Sequence, residues 1–255
     1  MERNEGATDG NHDLEAKSAQ EVLAWALERY SPRIAFASSF GAEDVVVIDL
    51  LARTRKDARI FTLDTGRLHE ETYEVMEAVR KRYGVSIESY FPERASVEKL
   101  EREKGLYSFR ESIENRKECC NVRKVEPLNR ALSGLDAWMS GLRRDQAVTR
   151  GTLAKVEHDA PRAGLTKINP IADWSVDDVW AYIKEHDVPY NKLHDRSFPS
   201  IGCSPCTRPI AAGEDIRAGR WWWEMPEQKE CGLHVNHPAR AGSQPGANDD
   251  KAAAS

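Results

Sequence analysis

The sequence predicts an α/β fold in which a mostly parallel sheet is flanked by helices. Two observations lead to this prediction. Short apolar runs of strand length alternate with longer segments whose apolar residues recur at helical spacing, and several of the short runs end in small or charged residues. Because ligands of such folds bind at the carboxyl ends of the strands, we expect the site in the loops that follow those runs.

Composition and charge narrow the classes of function. The chain has 255 residues and a net charge of −5, with 31% charged and 40% hydrophobic residues. We therefore expect a globular protein that has neither nucleic acid nor a membrane as a partner. The best candidate for a membrane span, Val45–Leu51, is too short and contains Asp49. The polar N-terminus lacks an apolar signal segment, so the expected location is cytoplasmic.

Three regions are predicted along the chain. Residues 1–16 are polar and are expected to be disordered, residues 17–225 form a single α/β domain, and residues 226–255 are a flexible tail of low complexity. The first helix of the domain is expected to open at Ser18, because Ser18 and Glu21 have the spacing of a capping box.

The loop after the first strand is a candidate phosphate site. The strand is expected at Ile34–Ala37 and the next helix at Asp44–Arg53. A small polar loop between a strand and a helix directs backbone N–H groups and the positive end of the helix dipole at an anion. The loop lacks the glycine pattern of the common nucleotide-binding loops, so an ordinary turn is the alternative. The candidate residues are Ser38, Ser39 and Gly41.

The second strand, expected at Arg59–Leu63, ends in a further candidate loop of Asp64, Thr65 and Gly66. Asp64 is a candidate to receive a ribose hydroxyl or a base, and the alternative is that it caps the following helix or the turn. The chain then continues with a helix, a strand and a helix, expected at His69–Tyr83, Ser86–Phe91 and Ser96–Glu103.

A pair of arginines follows the next strand, which is expected at Leu135–Ser140. Arg143 and Arg144 are candidates to bind phosphate or sulfate oxygens, and a solvated arginine pair is the alternative. Further on we expect an edge strand at Thr166–Asn169 and a helix at Trp174–His186.

The cysteines carry the strongest chemical signal. Cys119 and Cys120 are adjacent, and Cys203 and Cys206 have C-x-x-C spacing in a loop rich in glycine and proline. Two close pairs of thiols suit a four-thiolate metal site, although buried structural cysteines are the alternative. Zinc more usually has a second C-x-x-C, so the adjacent pair favours an iron–sulfur cluster. Neighbouring side chains diverge on helices and strands, so the pair is expected to need local backbone strain.

The fifth cysteine, Cys231, lies in the predicted tail, where a nucleophile is a better interpretation than a core residue. Attack by a thiolate needs nearby positive charge, which Lys124, Arg217 and Arg220 can supply if the tail folds over the pocket. Arg217 and Arg220 are three residues apart and would share a face if this segment were helical.

Three separated motifs together resemble one family. CCNVRK, CSPC and ECGLH are similar to segments of the assimilatory adenylyl-sulfate (APS) reductases, thioredoxin-dependent members of the PAPS/APS reductase family. The resemblance extends from about Ser38 to His234. It implies an adenine nucleotide alpha-hydrolase-like fold of the PP-loop type and adenosine 5′-phosphosulfate as the substrate. It also implies a role in assimilatory sulfate reduction and cysteine biosynthesis, and we expect a homo-oligomer.

The resemblance also implies roles for single residues. Cys231 would attack the sulfate sulfur, AMP would leave, and thioredoxin would release sulfite from the thiosulfonate on Cys231. The four paired cysteines, Cys119, Cys120, Cys203 and Cys206, match the ligands of the family's [4Fe-4S] cluster. The residues that match or lie near its substrate-binding segments are Ser38, Ser39, Gly41, Asp64, Thr65, Gly66, Lys124, Arg143, Arg144, Arg217 and Arg220.

Several alternatives remain at this point. One is a reductase of 3′-phosphoadenylyl sulfate (PAPS) or a dual-substrate enzyme, although PAPS-reducing relatives generally lack the four paired cysteines. A second is an ATP pyrophosphatase of the PP-loop type with a metal site, although the loop after the first strand departs from SGGxDS. The third is a non-catalytic metal-binding module with a disordered tail.

Overall fold

The computed structural model of the protein describes residues 11–146, 150–162 and 164–225. Within these ranges six strands form one sheet in the order β3-β2-β1-β4-β6-β5, with β5 antiparallel to β6 and the other neighbouring pairs parallel. The strands are β1 Ile34–Ser38, β2 Ile60–Leu63, β3 Ile87–Tyr90, β4 Ala137–Met139, β5 Val156–His158 and β6 Thr166–Ile168. The predicted α/β class is confirmed.

Helices connect the strands. They are α1 Asn11–Glu15, α2 Ala19–Tyr30, α3 Ala42–Thr54, α4 Glu70–Tyr83, α5 Arg94–Lys104, α6 Ile113–Cys120, α7 Glu126–Leu132 and α8 Val176–Glu185. A π-helical turn, Asn121–Val125, joins α6 to α7. Over the described part of the chain, no helix combines the length and the apolar character that crossing a membrane requires.

The sheet centre is built around β1 and α3. The predicted capping box opens α2: Ser18 Oγ accepts from the Glu21 N–H at 3.3 Å, and the Glu21 carboxylate accepts from the Ser18 N–H at 2.8 Å. Helix α3 is buried all round, since every residue from Val45 to Leu51 is at most 1% exposed. Because β1 pairs with β2 on one side and β4 on the other, the strand order reverses next to β1, where α/β folds form their ligand crevice.

The edge of the sheet differs from the prediction. Thr166–Asn169 was expected to be an edge strand, but β6 lies between β4 and β5. The antiparallel strand β5, Val156–His158, forms that edge instead. The inner position buries Lys167, whose side chain is 2% exposed. Its charge is compensated there, because Nζ lies 3.1 Å from Glu157 Oε1.

Part of the N-terminal segment, for which we expected disorder, is helical. Leu14 is buried, and the Glu15 carboxylate accepts from Arg144 Nη2 at 2.5 Å and from the Lys155 N–H at 2.6 Å. These contacts fix α1 against the loops that follow β4. Residues 1–10 and the predicted tail, 226–255, lie outside the described residues.

Candidate active site

A cavity of about 740 Å³ opens at the carboxyl ends of β1, β2 and β4. Its wall combines the loop after β1, residues from the ends of β2 and β4 and the segment 197–221. This is the crevice at which the strand order reverses, and its volume is typical of pockets that hold a small molecule. Of the candidate residues, the following line it: Ser38, Ser39, Gly41, Thr65, Lys124, Arg143, Arg217 and Arg220, together with Cys203.

The loop after β1 donates hydrogen bonds to α3, the helix that follows it. The Ser39 N–H and Oγ donate to Asp44 Oδ2 at 2.5 and 2.7 Å, and the Phe40 N–H donates to Ser38 Oγ at 3.1 Å. Two backbone N–H groups of the proposed phosphate loop are therefore engaged within the loop. Burial raises the pKa of Asp44 to about 6. Gly141, after β4, makes room for this carboxylate, since a Cβ there would lie 2.3 Å from Asp44 Oδ1.

The two candidate arginines have different surroundings. Arg143 lines the cavity and is 2% exposed, and its Nη2 donates to Glu43 Oε1 at 2.9 Å while its Nη1 pairs with Asp145. Arg144 does not line the cavity. Its guanidinium binds Glu15, a partner 129 residues away in the sequence. Arg143 and Arg144 were equal candidates in the sequence, but in the structure only Arg143 lines the cavity.

The candidate residues of the loop after β2 also differ in whether they line the cavity. Thr65 lines the cavity, and its Oγ1 lies 3.3 Å from Cys203 Sγ. Asp64 and Gly66 do not line it. The buried Asp64 Oδ1 accepts from the Gly66 N–H at 2.9 Å and from the Tyr73 hydroxyl at 3.0 Å. Asp64 therefore shapes the turn, which is the alternative role that the sequence left open.

The four paired cysteines line a second, smaller cavity of about 20 Å³. Cys119 and Cys120 lie at the end of α6, just before the π-helical turn, and Cys203 and Cys206 flank a short 3-10 turn. Cys120 has ordinary helical backbone angles, φ −65° and ψ −36°. The expected backbone strain at the adjacent pair is therefore absent at Cys120, and the irregularity lies in the π-helical turn that follows.

The surroundings of the thiols are both apolar and cationic. Phe109 and Trp221 pack against Cys120, Cys203 and Cys206. Burial raises the pKa of the Cys119 thiol and raises that of Cys206 to about 12. The cations around this cavity are Arg67, Arg116, Arg123 and Lys124.

The donor set suits a metal cluster by its chemistry. Four soft thiols around one space are what an iron–sulfur centre takes as ligands. No group of three or more histidine, cysteine, aspartate or glutamate side chains in residues 11–146, 150–162 and 164–225 is arranged to hold a metal ion. The four cysteines therefore fit an iron–sulfur cluster in two respects only: their donor atoms are of the right type, and they line one cavity.

One wall separates the two cavities. Lys124, Cys203 and Trp221 line both of them. These three residues form a shared wall between the larger cavity and the space that the four thiols line.

Arg217 and Arg220 complete the basic part of the wall without forming a helix. They are in a turn in which the Arg220 N–H donates to the Arg217 carbonyl at 2.9 Å. Arg220 Nη1 donates to Ser200 Oγ at 3.3 Å and to the Ile201 carbonyl at 3.2 Å. Gly202 leaves the space for this guanidinium, because a Cβ at Gly202 would lie 2.2 Å from Arg220 Nη2.

His194 lines the cavity and was not predicted from the sequence. Its ring lies edge-on to Trp180 with centroids 5.2 Å apart. Nε2 is buried and has no hydrogen-bond partner among the described residues, and burial lowers the pKa of the imidazole. The imidazole thus borders the cavity in its neutral form. A single histidine in a loop gave no signal in the sequence.

Cys231 lies outside the described residues. What the structure does place is the chain that leads to it. Trp221–Glu224 runs beside the cysteine cavity, where Trp221 packs with the thiols and Trp223 packs against the same cluster.

Comparison with known proteins gives consistent results. Residues 33–209 match the phosphoadenosine phosphosulfate reductase domain. A protein of Allochromatium vinosum named adenosine 5′-phosphosulfate reductase is 52% identical over 223 residues, which cover 87% of each chain. The crystal structure of a PAPS reductase from Candida auris, a phosphate complex, is similar with a TM-score of 0.70 and 30% identity, over 82% of this chain and 99% of that one.

The fold is also shared more widely. The crystal structure of Candida glabrata FMN adenylyltransferase, in complex with FMN and an ATP analogue, has a TM-score of 0.53 over 85% of this chain and 79% of that one. The two sequences are 16% identical, so this likeness concerns the fold alone. Together the two solved structures confirm the predicted fold.

Proposed function

The chain belongs to the phosphoadenosine phosphosulfate reductase domain family, and on that premise we propose that it is an enzyme that reduces adenosine 5′-phosphosulfate to sulfite and AMP. The reaction serves assimilatory sulfate reduction and cysteine biosynthesis. The observation that carries the proposal is the wall of Lys124, Cys203 and Trp221, which joins a nucleotide-sized cavity to the four paired thiols.

The charges around the cavity suit this substrate. Lys124, Arg217 and Arg220 line the cavity, Lys124 also borders the thiols, and the three cations attract the phosphosulfate. The adenosine lies toward the loop after β1, where Ser39 and the neutral imidazole of His194 offer uncharged polar contacts. Arg143 acts through Glu43, which its guanidinium holds in place at 2.9 Å.

Cys231 is the nucleophile of the proposed reaction. Its thiolate forms a bond to the sulfate sulfur, the bond from that sulfur to the phosphate oxygen breaks, and AMP leaves with the electron pair. Lys124, Arg217 and Arg220 stabilise the charge that develops on the leaving phosphate and on the sulfuryl oxygens. The product on the protein is a thiosulfonate on Cys231.

A dithiol protein of the thioredoxin type completes the turnover. One of its thiolates attacks the Cys231 sulfur and releases sulfite, which takes the bonding pair. Its second thiol displaces Cys231 from the mixed disulfide, so that the reductant leaves as a disulfide after giving two electrons. This step needs Cys231 to be accessible to another protein, in agreement with the proposed tail, residues 226–255, beside a domain of residues 17–225.

We assign a [4Fe-4S] cluster to the four paired thiols, Cys119, Cys120, Cys203 and Cys206. When bound, such a cluster supplies a fixed charge beside Lys124 and cross-links the two cysteine pairs. The aromatic residues Phe109 and Trp221 exclude water from the thiols, and Thr65 places a hydroxyl 3.3 Å from Cys203 Sγ. A cytoplasmic homo-oligomer remains the expectation, and the odd number of cysteines supports a reducing compartment.

A PAPS reductase is the second candidate, since the Candida auris structure bears that name at 30% identity. The Allochromatium vinosum relative, which is named for adenosine 5′-phosphosulfate, the substrate without a 3′-phosphate, is more similar, at 52% identity. This difference favours adenosine 5′-phosphosulfate as the substrate. A dual specificity would still use the same wall and the same nucleophile.

The test is an anaerobic incubation with sulfur-labelled APS or PAPS in the absence of reductant. We expect labelled sulfite on Cys231 from APS, located by peptide mapping, and about four irons per chain in the same sample. The Cys231→Ser variant should bind AMP and iron like the wild type and take up no label. Label from PAPS alone would establish the second candidate. No label from either nucleotide, with iron present, would contradict the proposed function.

A further inference from the structure

A buried ion pair joins the cysteine-bearing helix to the last described residues of the chain. Arg116 lies in α6, and its Nε and Nη2 donate to the two oxygens of Glu224, each at 2.9 Å. The two side chains are 1% and 3% exposed. Because a buried charge that loses its partner is strongly unfavourable, this bidentate contact fixes Glu224 against α6 far more firmly than a surface pair would.

The pair lies on the face of α6 that bears the thiols. Arg116 precedes Cys119 and Cys120 by three and four residues, a spacing that places all three side chains on one side of a helix. All three also line the cysteine cavity. The position of Glu224 is therefore set by the same helix face that presents two of the proposed cluster ligands.

The ion pair is continuous with the basic wall of the larger cavity. The Arg116 guanidinium lies 4.8 Å from the centre of the Trp221 ring, and that of Arg220 lies 4.7 Å from the same centre. Guanidinium groups over an indole face are attracted by its negative charge density. Trp221 therefore connects Arg116, which holds the end of the described chain, to Arg220, which lines the substrate cavity.

The backbone between Arg220 and Glu224 is held as a tight turn. Trp221 has φ +39°, a left-handed conformation that a residue with a side chain adopts at a cost. The Trp221 N–H donates to the Cys206 carbonyl at 3.1 Å, and the Glu224 N–H donates to the Trp221 carbonyl at 2.8 Å. The strained turn persists because contacts at both of its ends, with Cys206 and with Arg116, hold it.

We propose that Arg116 and Glu224 are positioning residues, which fix the base of the segment that carries Cys231 beside the cysteine cavity. The inference rests on the proposed role of Cys231 as nucleophile. Cys231 follows Glu224 by seven residues, so the chain between them spans at most about 25 Å. A fixed base confines Cys231 to this radius and raises its effective concentration at the substrate.

The test compares Glu224→Gln with Glu224→Asp, which keeps the charge, and with Glu88→Gln as a matched control. Glu88 binds Arg59 through the same two-oxygen geometry, at 2.6 and 2.8 Å, on strand β3 at the far edge of the sheet. Three quantities are measured on the metal-loaded, full-length protein: the single-turnover rate of label transfer from saturating APS to Cys231, the affinity for AMP, and the iron content.

We expect Glu224→Gln to slow label transfer about tenfold or more at saturating substrate. AMP affinity should stay within about threefold of the wild type and iron content should be unchanged, so that the loss falls on the turnover step and not on binding. Glu224→Asp should recover part of the rate, and Glu88→Gln should match the wild type. A wild-type rate in Glu224→Gln would overturn the proposal. A loss of iron or AMP binding in parallel with the rate would also overturn it, because the pair would then be merely structural.

A second measurement does not depend on turnover. Hydrogen exchange of the peptide that contains Trp221–Glu224 should be accelerated about tenfold in Glu224→Gln and unchanged in Glu88→Gln. Unchanged exchange in Glu224→Gln would show that the pair anchors nothing. If the wild type takes up no label from APS or PAPS, the proposed function fails, and the exchange result alone then decides whether Glu224 holds this segment.

Discussion

The two ends of the large cavity are built in opposite ways. At the end formed by the loop after β1, the charged groups bind one another: Asp44 accepts from Ser39, and Arg143 binds Glu43. At the other end, Lys124, Arg217 and Arg220 come from two segments far apart in the sequence, and the cavity adjoins the four thiols. The first end is acidic and locally compensated, whereas the second is basic and assembled by tertiary contacts.

Under the proposed function, this contrast separates recognition from reaction within a single crevice. Groups that compensate each other stay fixed whether or not a ligand is present, which suits binding of an uncharged nucleoside. Converging cations suit a group on which negative charge develops. Under the proposed function, substitutions at the basic end should therefore reduce turnover, and those at the acidic end should change stability or binding.

The largest effect is expected at the basic end. Lys124→Ala should lower kcat/KM for adenosine 5′-phosphosulfate about 10²-fold to 10³-fold, because it removes a cation next to the developing charge. The thermal midpoint should change little, since Lys124 is only half-buried. Steady-state kinetics and thermal melts measure both quantities. Lys117→Ala, at an exposed position on α6, is the control. Unchanged kinetics in Lys124→Ala would remove this residue from the site.

At the acidic end, Asp44→Asn should change the pH dependence of stability. The pKa of Asp44 is raised to about 6 by burial, so its contribution to stability is fully present below the ordinary carboxyl pKa and is lost as the pH rises through about 6. Above that pH the variant should gain on the order of 3 kcal/mol in unfolding free energy relative to the wild type. Urea unfolding at pH 5 and pH 7.5 measures the difference.

Asp49→Asn, in the same helix, is the control for that measurement. Burial acts to raise the pKa of Asp49, but hydrogen bonds from Tyr182, Arg53 and Tyr83 outweigh it and leave the pKa below its ordinary value. Its stabilising contribution is therefore present at neutral pH and lost in acid, opposite in sign to that of Asp44. The same direction of change in both variants would contradict the assignment.

A smaller effect is expected from Gly202→Ala. The new Cβ would meet the Arg220 guanidinium, 2.2 Å from Nη2 and 2.5 Å from Cζ, so the side chain must move. We expect kcat/KM to fall about tenfold, with a midpoint of unfolding within a few degrees of the wild type. Kinetics that match the wild type would show that the position of Arg220 does not matter for turnover.

The smallest effect is expected from the corresponding change at the acidic end, Gly41→Ala. Its new Cβ would make ordinary contacts, 3.7 Å from Ser39 Oγ and 3.8 Å from Glu43 Oε2. Stability should be unchanged, and KM should rise about threefold because Gly41 lines the cavity. A loss of stability would show that the loop is tighter than its contacts indicate, and an unchanged KM would place the nucleotide away from Gly41.

The sequence predicted the central part of the fold because the signals there are local. The strands β1, β2 and β4 are apolar runs bounded by polar residues, and the capping pattern at Ser18 needs only four consecutive residues. The edge strand Val156–His158 was missed, because three residues that include Glu157 and His158 give no apolar run. It is recognised as a strand only by its antiparallel pairing with β6, the next strand along the chain.

The site could be predicted only where chemistry identified the residues. The four paired cysteines were found by their spacing, and they do line one cavity. Arg143 and Arg144 could not be told apart, since the outcome depends on Glu15, 129 residues from Arg144. Arg217 and Arg220 line the cavity as expected, although in a turn and not on a helix. Cys231 is untested by the structure.

The π-helical turn Asn121–Val125 makes the chain sensitive to changes in length as well as to changes in residue type. A π-helical turn holds one residue more than the α-helical turn it replaces. Deleting one residue here would restore a continuous α-helix and rotate everything before it by about 100° relative to α7. Cys119 and Cys120 would then turn away from Cys203 and Cys206. Spacing between the thiols and α7 is thus under constraint even where the individual side chains are free to vary.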